Sequence, residues 1–308
     1  MYESFYGLKA KPFSIVPQAE FLFPSRRHSA ALHLLEYGLI SHAMLTLITG
    51  DIGTGKTTLI RCLLRKVGQD VTLGLVSFTH SAYGDFLRWI LTSFGIETKR
   101  RSQAEMYEAF TKFLVEQYSL GKRVVLVVDE TQNLSPAGLE QLRLLSNVNV
   151  EGHELLQIIM AGQTNLREKL LQPGLEQLVQ RIAFSYHLEP LDRRETEQYI
   201  RYRLSTAGCS DSATVFTSDA YDIVFEKSGG VPRVVNTICD SAMVYGYAQQ
   251  KTIIDGAIVA EVIEDRERTG IPFLPRFGAN EAISVARVVS GTVVSVEPDV
   301  APVSSPAS

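Results

Sequence analysis

The apolar positions of this chain form two kinds of pattern, and each predicts one kind of element. Short continuous apolar runs are typical of strands covered on both faces of a parallel sheet, and they occur at 43–49, 71–78, 124–130, 155–162 and 182–188. Apolar residues spaced three or four apart predict helices with one buried stripe, and these occur at 29–40, 56–67, 83–94, 103–118 and 135–146. Strands that alternate with helices predict an α/β fold with an open parallel sheet.

The pattern changes on either side of this region. The first forty residues are aromatic and interrupted by proline, which predicts an irregular arm. After residue 191 only helical patterns follow, at 194–206, 218–227, 232–249 and 255–268, and they predict a small all-helical domain. We therefore predict an arm and helix over 1–42, an α/β domain over 43–190, a helical lid over 191–268 and a largely disordered tail over 269–308. The alternating pieces VARVV and TVVSV of the tail could instead pair as short strands.

Composition adds limits on the class of protein. The chain has 308 residues, of which 45% are hydrophobic and 21% charged, and this is typical of a globular protein. A net charge of -4 argues against a strongly basic nucleic-acid surface. Three separated cysteines without CxxC spacing favour reduced thiols in a cytoplasmic protein. The N-terminus lacks the pattern of a signal peptide, and no run of about 18 apolar residues predicts a transmembrane segment.

One glycine-rich stretch, GDIGTGKTT, lies between a predicted strand and a predicted helix. It fits the pattern G-x-x-x-x-G-K-[ST], whose glycines let several backbone N–H groups point at phosphate oxygens at the start of a helix. In this pattern the lysine reaches the β- and γ-phosphates and the hydroxyl that follows ligates Mg²⁺. The predicted phosphate-binding residues are Gly50, Asp51, Ile52, Gly53, Thr54, Gly55, Lys56, Thr57 and Thr58, with Thr57 also predicted as a metal ligand.

Two acids end the apolar run VVLVV. Asp129 is predicted to hold Mg²⁺ through its water shell, and Glu130 to orient and polarise the water that attacks the γ-phosphate. A solvated turn would be the simplest interpretation of such a pair alone, but the phosphate loop makes hydrolysis the better one. The guanine signature N-K-x-D is missing, and a small-molecule kinase would not explain a separate helical domain. The residues therefore favour an oligomeric ATPase.

At this point the sequence resembles the AAA+ ATPases, and within them the ExeA/GspA-like family. The resemblance is carried first by the opening MYESFYGLKAKPFSIVPQAEFLFPSRRHSAALHLLEYGL, with its aromatic residues, its PF pair and a histidine before a helix. It continues, in order, with GDIGTGKTT, VVLVVDETQNL, LLQIIMAGQTNL, LVQRIAFSYHLEPL and GGVPRVVN, and it spans about residues 1 to 265. It implies a P-loop NTPase fold, with a parallel sheet flanked by helices and a helical lid behind it.

The resemblance also implies roles for particular residues. Gln163 matches a polar sensor that touches the γ-phosphate or the attacking water, and Arg181 matches an arginine finger that reaches a neighbouring subunit's nucleotide. Arg233 matches a second sensor at the start of a lid helix, while Pro12 and Phe13 match residues that help to enclose adenine. Simpler alternatives stay open: an ordinary loop amide for Gln163, a surface ion pair for Arg181 and core packing for Phe13.

The function implied is hydrolysis of ATP with Mg²⁺, coupled to conformational change in a homo-oligomer. Such proteins serve assembly of a secretion, pilus or polysaccharide/exosortase system, and many continue into a transmembrane helix and a periplasmic peptidoglycan-binding domain. Neither pattern occurs in these residues, so we expect a cytoplasmic protein that reaches the inner membrane, if at all, through a membrane-associated partner.

Two alternatives remain open. A DNA-associated ATPase of transposition-helper or initiator type could use the basic residues Lys99, Arg100 and Arg101, or the pair Arg26 and Arg27. The second alternative is a scaffold that binds a nucleotide but hydrolyses little of it.

Overall fold

The computed structural model describes residues 1–77, 86–150, 152–270 and 273. Within them the strands are β1 Leu45–Gly50, β2 Val71–Ser77, β3 Arg123–Asp129, β4 Asn149–Val150, β5 His153–Glu154, β6 Leu156–Gly162 and β7 Ile182–Leu188. Five strands form a parallel sheet in the order β2–β3–β6–β1–β7, and β4 pairs with β5 in a small antiparallel hairpin. The predicted parallel α/β sheet is thus confirmed.

The helices of the α/β region lie between these strands. They are α1 Arg26–Ile40, α2 Lys56–Lys66, α3 Phe86–Ser93, α4 Gln103–Ser119, α5 Pro136–Leu145, α6 Asn165–Leu170 and α7 Glu176–Val179. The four helices that follow are α8 Arg193–Thr206, α9 Ser218–Ser228, α10 Pro232–Ala248 and α11 Gly256–Arg268. The short pieces β4, β5, α6 and α7 were not predicted, because two to six residues are too few to show a hydrophobic period.

Burial on both faces explains why the strands read as continuous apolar runs. Val125 and Val127 of β3 lie in one hydrophobic cluster with residues of α1 and α2. Leu126 and Val128, which point to the opposite face, lie in another cluster with residues of α3, α4 and α5. Helices therefore cover the sheet from both sides, as parallel sheets require.

The register brings the carboxyl ends of four strands to one edge of the sheet. Gly50, at the carboxyl end of β1, lies opposite Leu188 of β7. Thr49 lies opposite Gly162 of β6, and Asp129 ends β3 on the same side. The loops that leave these strand ends consequently meet, which is where open α/β sheets place their ligands.

The N-terminal arm packs into the hydrophobic core of the helical region. Tyr2, Tyr6 and Phe13 belong to one buried cluster with residues of α8, α9, α10 and α11. Phe13 is 1% exposed, and its ring meets that of Phe216 edge to face. The arm and the helical region therefore share a core, which the sequence pattern did not reveal because the contacts join positions some two hundred residues apart.

The limits of the predicted domains stay predictions. Nearly all of the predicted tail over 269–308, with its VARVV and TVVSV pieces, lies outside the described residues, as do residues 83–85 of the predicted helix at 83–94. Among the helices that the structure describes, none is both long enough and apolar enough to cross a membrane.

The packing of the arm predicts a difference between two neighbouring residues. We expect Phe13→Ala to lower the free energy of unfolding by about 3 kcal/mol, because it empties a fully buried site. Ile15→Ala is the control, since Ile15 is 56% exposed and its loss should cost no more than about 0.5 kcal/mol. Urea unfolding measures both, and equal small losses would contradict the buried position of Phe13.

Candidate active site

The glycine-rich loop between Gly50 and Lys56, called the phosphate loop below, connects β1 to α2, as the sequence predicts. Gly53 and Gly55 have φ values of 85° and 105°, in the left-handed region that favours glycine. The Lys56 ammonium points back into the loop and donates hydrogen bonds to the carbonyls of Gly50 at 2.7 Å and Asp51 at 2.9 Å. Burial lowers the pKa of Lys56, and the charges of Glu130, Asp129 and Asp51 oppose that shift. The loop therefore holds a cation at its centre.

The other residues of the loop either form hydrogen bonds that fix its shape or face solvent. Thr54 is fully buried, and its hydroxyl donates to the carbonyl of Asp51 at 2.9 Å. The Asp51 carboxylate accepts a hydrogen bond of 2.7 Å from the Thr164 hydroxyl, which joins the loop to the segment after β6. Ile52 and Thr58 line a cleft that lies between the loop, the arm at 14–18 and the start of α10, and Ile52 is exposed.

The side-chain oxygens of Thr57 and Asp129 lie side by side at the start of α2 and the end of β3. The Thr57 hydroxyl donates to Asp129 Oδ2 at 2.8 Å, and Asp129 is 5% exposed. A hydroxyl and a carboxylate are the hard donors that Mg²⁺ takes when most of its other positions are filled by water and phosphate. In the described part of the chain no group of three or more His, Cys, Asp or Glu side chains could hold a metal by itself. The pair fits Mg²⁺ bound together with phosphates.

Glu130 follows β3 in a left-handed conformation with a φ of 54°. Non-glycine residues seldom adopt it, and those that do are common at functional sites. The turn points its carboxylate at the end of β6, where Oε2 accepts a hydrogen bond of 3.2 Å from the Gln163 amide. The structure thus brings Glu130 and Gln163 together, as well as Lys56, Thr57 and Asp129.

Arg233 lies on the other side of the phosphate loop. It is the second residue of α10, after Pro232, and its backbone N–H donates to the carbonyl of Gly53 at 3.2 Å. A Cβ atom on Gly53 would lie 2.6 Å from the Cβ of Arg233, so only glycine fits there. The Arg233 side chain lines the same cleft as the loop.

A histidine that sequence reasoning missed supports the loop from below. His28, in the first turn of α1, is 4% exposed, and its Nε2 lies 2.9 Å from the carbonyl of Thr54. Because a carbonyl only accepts, Nε2 carries the proton, and Nδ1 accepts from the Ser25 hydroxyl at 2.8 Å. Burial lowers the pKa of His28 and keeps it neutral. His28 and Thr54 were both visible in the sequence, but their contact across 26 positions was not.

The arm closes the far end of the cleft. Arg203 of α8 donates to the carbonyls of Pro12 at 2.5 Å and Ser14 at 3.1 Å, and burial lowers the pKa of this guanidinium. The Phe13 side chain lies in the core instead, and the cleft wall on this side begins at Ser14. Enclosure of adenine by Pro12 and Phe13 stays a prediction.

Arg181 lies apart from these residues. It precedes β7 at the amino end of the sheet, whereas the phosphate loop leaves the carboxyl end of the neighbouring strand β1. Its guanidinium donates to Met44 Sδ at 3.2 Å, to Ser146 Oγ at 3.0 Å and to the side-chain oxygen of Asn147. Within one chain, therefore, Arg181 does not reach its own phosphate loop.

Of the basic residues considered for DNA, Arg27 is already engaged. Its guanidinium contacts Glu189 at 3.1 Å and Glu195 at 3.6 Å, and it donates to the carbonyl of Pro190 at 2.6 Å. Lys99 and Arg100 are exposed.

Residues 39–170 match the AAA domain family. The chain is 39% identical over 250 residues to general secretion pathway protein A of Aeromonas hydrophila, an alignment that covers 81% of this chain and 45% of that protein. The aligned part of this chain therefore spans less than half the length of that relative.

Solved structures show the same fold. Cdc6p from Pyrobaculum aerophilum superposes with a TM-score of 0.63 at 16% identity, covering 89% of this chain and 73% of that one. The ORC2 protein of Aeropyrum pernix, solved as ADPNP–ADP complexes, gives a TM-score of 0.60 at 17% identity over 77% of this chain and 66% of that one. At these identities the likeness concerns the fold alone. With the AAA domain and the relationship to the Aeromonas protein, the chain belongs to the AAA-type ATPases related to general secretion pathway protein A.

Proposed function

We propose that this ATPase binds ATP with Mg²⁺ in the cleft between the phosphate loop, the arm and α10, and that Glu130 is the base for hydrolysis. The observation that carries the proposal is the convergence of Lys56, Thr57, Asp129 and Glu130 at one edge of the sheet. Phosphates, a cation and an attacking water each have a suitable group there.

The chain's own residues supply three parts of the reaction. The Lys56 ammonium leaves the carbonyls of Gly50 and Asp51 and pairs with the β- and γ-phosphates. Glu130 accepts a proton from the water as its oxygen attacks the γ-phosphorus, the bond to the leaving ADP oxygen breaks, and the proton then passes to phosphate or solvent. Gln163 binds the γ-phosphate or the attacking water. Thr57 and Asp129 would hold Mg²⁺, which neutralises charge on the phosphates when bound.

Hydrolysis is proposed to move the helical region through Arg233. The Arg233 side chain faces the cleft, while its backbone holds the carbonyl of Gly53 in the phosphate loop. Loss of the γ-phosphate removes one attraction for the guanidinium and so changes the relative stability of two arrangements of α10. Since the arm shares a core with α10, we expect the arm to move with it.

Completion of the site is proposed to need a second copy of the chain. The position of Arg181 at the amino end of the sheet supports presentation to a neighbour. An arginine there would neutralise charge that develops on the transferred phosphoryl group.

The biological role that we propose follows the relative. General secretion pathway protein A is named for secretion, and we infer that this chain also serves assembly of a secretion, pilus or polysaccharide/exosortase system, acting with a membrane-associated partner at the cytoplasmic face of the inner membrane.

The role of Glu130 is tested by Glu130→Gln. We expect kcat for ATP hydrolysis to fall by about 100-fold or more, because the amide cannot accept the proton, while ATP still binds. Glu154→Gln is the control, since Glu154 is exposed on β5 at the opposite end of the sheet, and it should keep full turnover. Phosphate release and ATP binding are measured on both, and full turnover by Glu130→Gln would overturn the assignment.

The role of Arg181 is tested by mixing two inactive proteins. Lys56→Ala and Arg181→Ala should each lose on the order of 10³-fold in turnover. A mixture should regain activity, because a Lys56→Ala subunit supplies Arg181 to the intact phosphate loop of its neighbour. The double variant mixed with Arg181→Ala is the control and should stay inactive. Absence of rescue at every mixing ratio, although mixed oligomers form, would contradict action between subunits.

A further inference from the structure

Gln132 is a buried glutamine beside Glu130 to which the sequence patterns gave no role. It lies in the short 3-10 helix Thr131–Asn133 that follows β3, and it is 8% exposed. Its Nε2 donates to Glu130 Oε2, the same oxygen that accepts the 3.2 Å hydrogen bond from Gln163. Glu130 therefore has a second amide partner, and it comes from its own motif.

The orientation of the Gln132 side-chain amide is fixed by the hydrogen bond that its oxygen accepts. The backbone N–H of Gln163 donates to Gln132 Oε1 at 3.0 Å. Because a backbone N–H can only donate, the amide oxygen must face Gln163, and the NH₂ group must then face Glu130. The amide therefore cannot turn over without losing both hydrogen bonds.

The backbone of Gln132 is held as well. The Lys169 ammonium of α6 donates to the carbonyl of Gln132 at 2.9 Å and also contacts the carbonyl of Leu134. The turn that carries Gln132 is thus fastened to the segment after β6, the same segment that carries Gln163. A rigid frame therefore surrounds one oxygen of the Glu130 carboxylate.

This frame matters because Glu130, whose backbone is in the left-handed conformation, is the proposed base. A free glutamate side chain has several rotamers, and a base must lie within hydrogen-bond reach of the proton that it takes. Two amide donors on Oε2 fix the plane of the carboxylate. Among the described residues Oε1 has no hydrogen-bond donor, so this is the oxygen left for water.

We propose that Gln132 is the positioning residue of Glu130: its amide holds Oε2 so that Oε1 faces the attacking water. The inference rests on the proposed role of Glu130 as base. Gln132 itself touches neither ATP nor water in this account and acts only through the glutamate.

Two variants separate positioning from folding. Gln132→Leu removes both hydrogen bonds. Gln132→Glu has nearly the same shape and keeps an acceptor for the Gln163 N–H, but it removes the donor to Glu130. We expect both to lower kcat by on the order of 10- to 100-fold, the size of effect that misplacement of a reacting group has, with little change in the dissociation constant of ATP.

The matched control is Gln157→Leu. Gln157 is also a buried glutamine, 6% exposed on β6, but its amide donates to the carbonyls of Gly38, Leu39 and Ala43 near the opposite end of the sheet. Its loss should lower stability without lowering kcat in the protein that remains folded. A fall in kcat as large as that of Gln132→Leu would show that loss of any buried amide has this effect and would overturn the proposal.

The decisive measurement is a double-mutant cycle with Glu130→Gln. Single-turnover rates with radiolabelled ATP should show that Gln132→Leu slows the parent strongly but does not slow the Glu130→Gln background further, since it acts through Glu130. An equal slowing in both backgrounds, or wild-type kcat in either Gln132 variant, would refute it. Full activity of Glu130→Gln alone would instead refute the proposed base, so the two failures are distinguishable.

Discussion

The structure depends on one close backbone approach, between Gly53 of the phosphate loop and Arg233 at the start of α10. A hydrogen bond of 3.2 Å joins them, and there is no room for a Cβ atom on Gly53. This contact joins the α/β region to the helical region at one wall of the cleft. Because Arg233 also lines that cleft, the residue that joins the two regions faces the proposed position of the nucleotide.

Two further contacts extend this constraint through the molecule. His28 holds the carbonyl of Thr54 from the α1 side, so the loop is supported on one side by α1 and on the other by α10. Arg203 ties the arm to α8, and the arm shares its core with α10. The phosphate loop, arm and helical region are thus linked mainly through buried hydrogen bonds and apolar contacts. Ion pairs such as that of Arg27 with Glu195 add to these links, but exposed ion pairs contribute less to stability.

Much of this was predictable because it is local. The strand β3 shows in the continuous run VVLVV, and the phosphate loop shows in the spacing of Gly50, Gly55 and Lys56, because one backbone geometry demands those residue types. The contacts of Gln132, His28 and Arg203 could not be read in this way. Gln132 with Gln163, His28 with Thr54 and Arg203 with Pro12 are pairs that only the fold brings together. A glutamine or histidine also has the same appearance in a sequence whether its amide or ring is buried or solvated.

The contact between Gly53 and Arg233 is tested most directly by amide hydrogen exchange at Arg233 in Gly53→Ala. Gly174→Ala is the matched control, because Gly174 has a similar φ of 93° but no atom within 4 Å of an added Cβ. Both variants place alanine in a left-handed conformation, and only the first should push α10 away from the loop. We predict exchange at Arg233 several-fold faster in Gly53→Ala than in Gly174→Ala; equal exchange in the two variants would contradict the account.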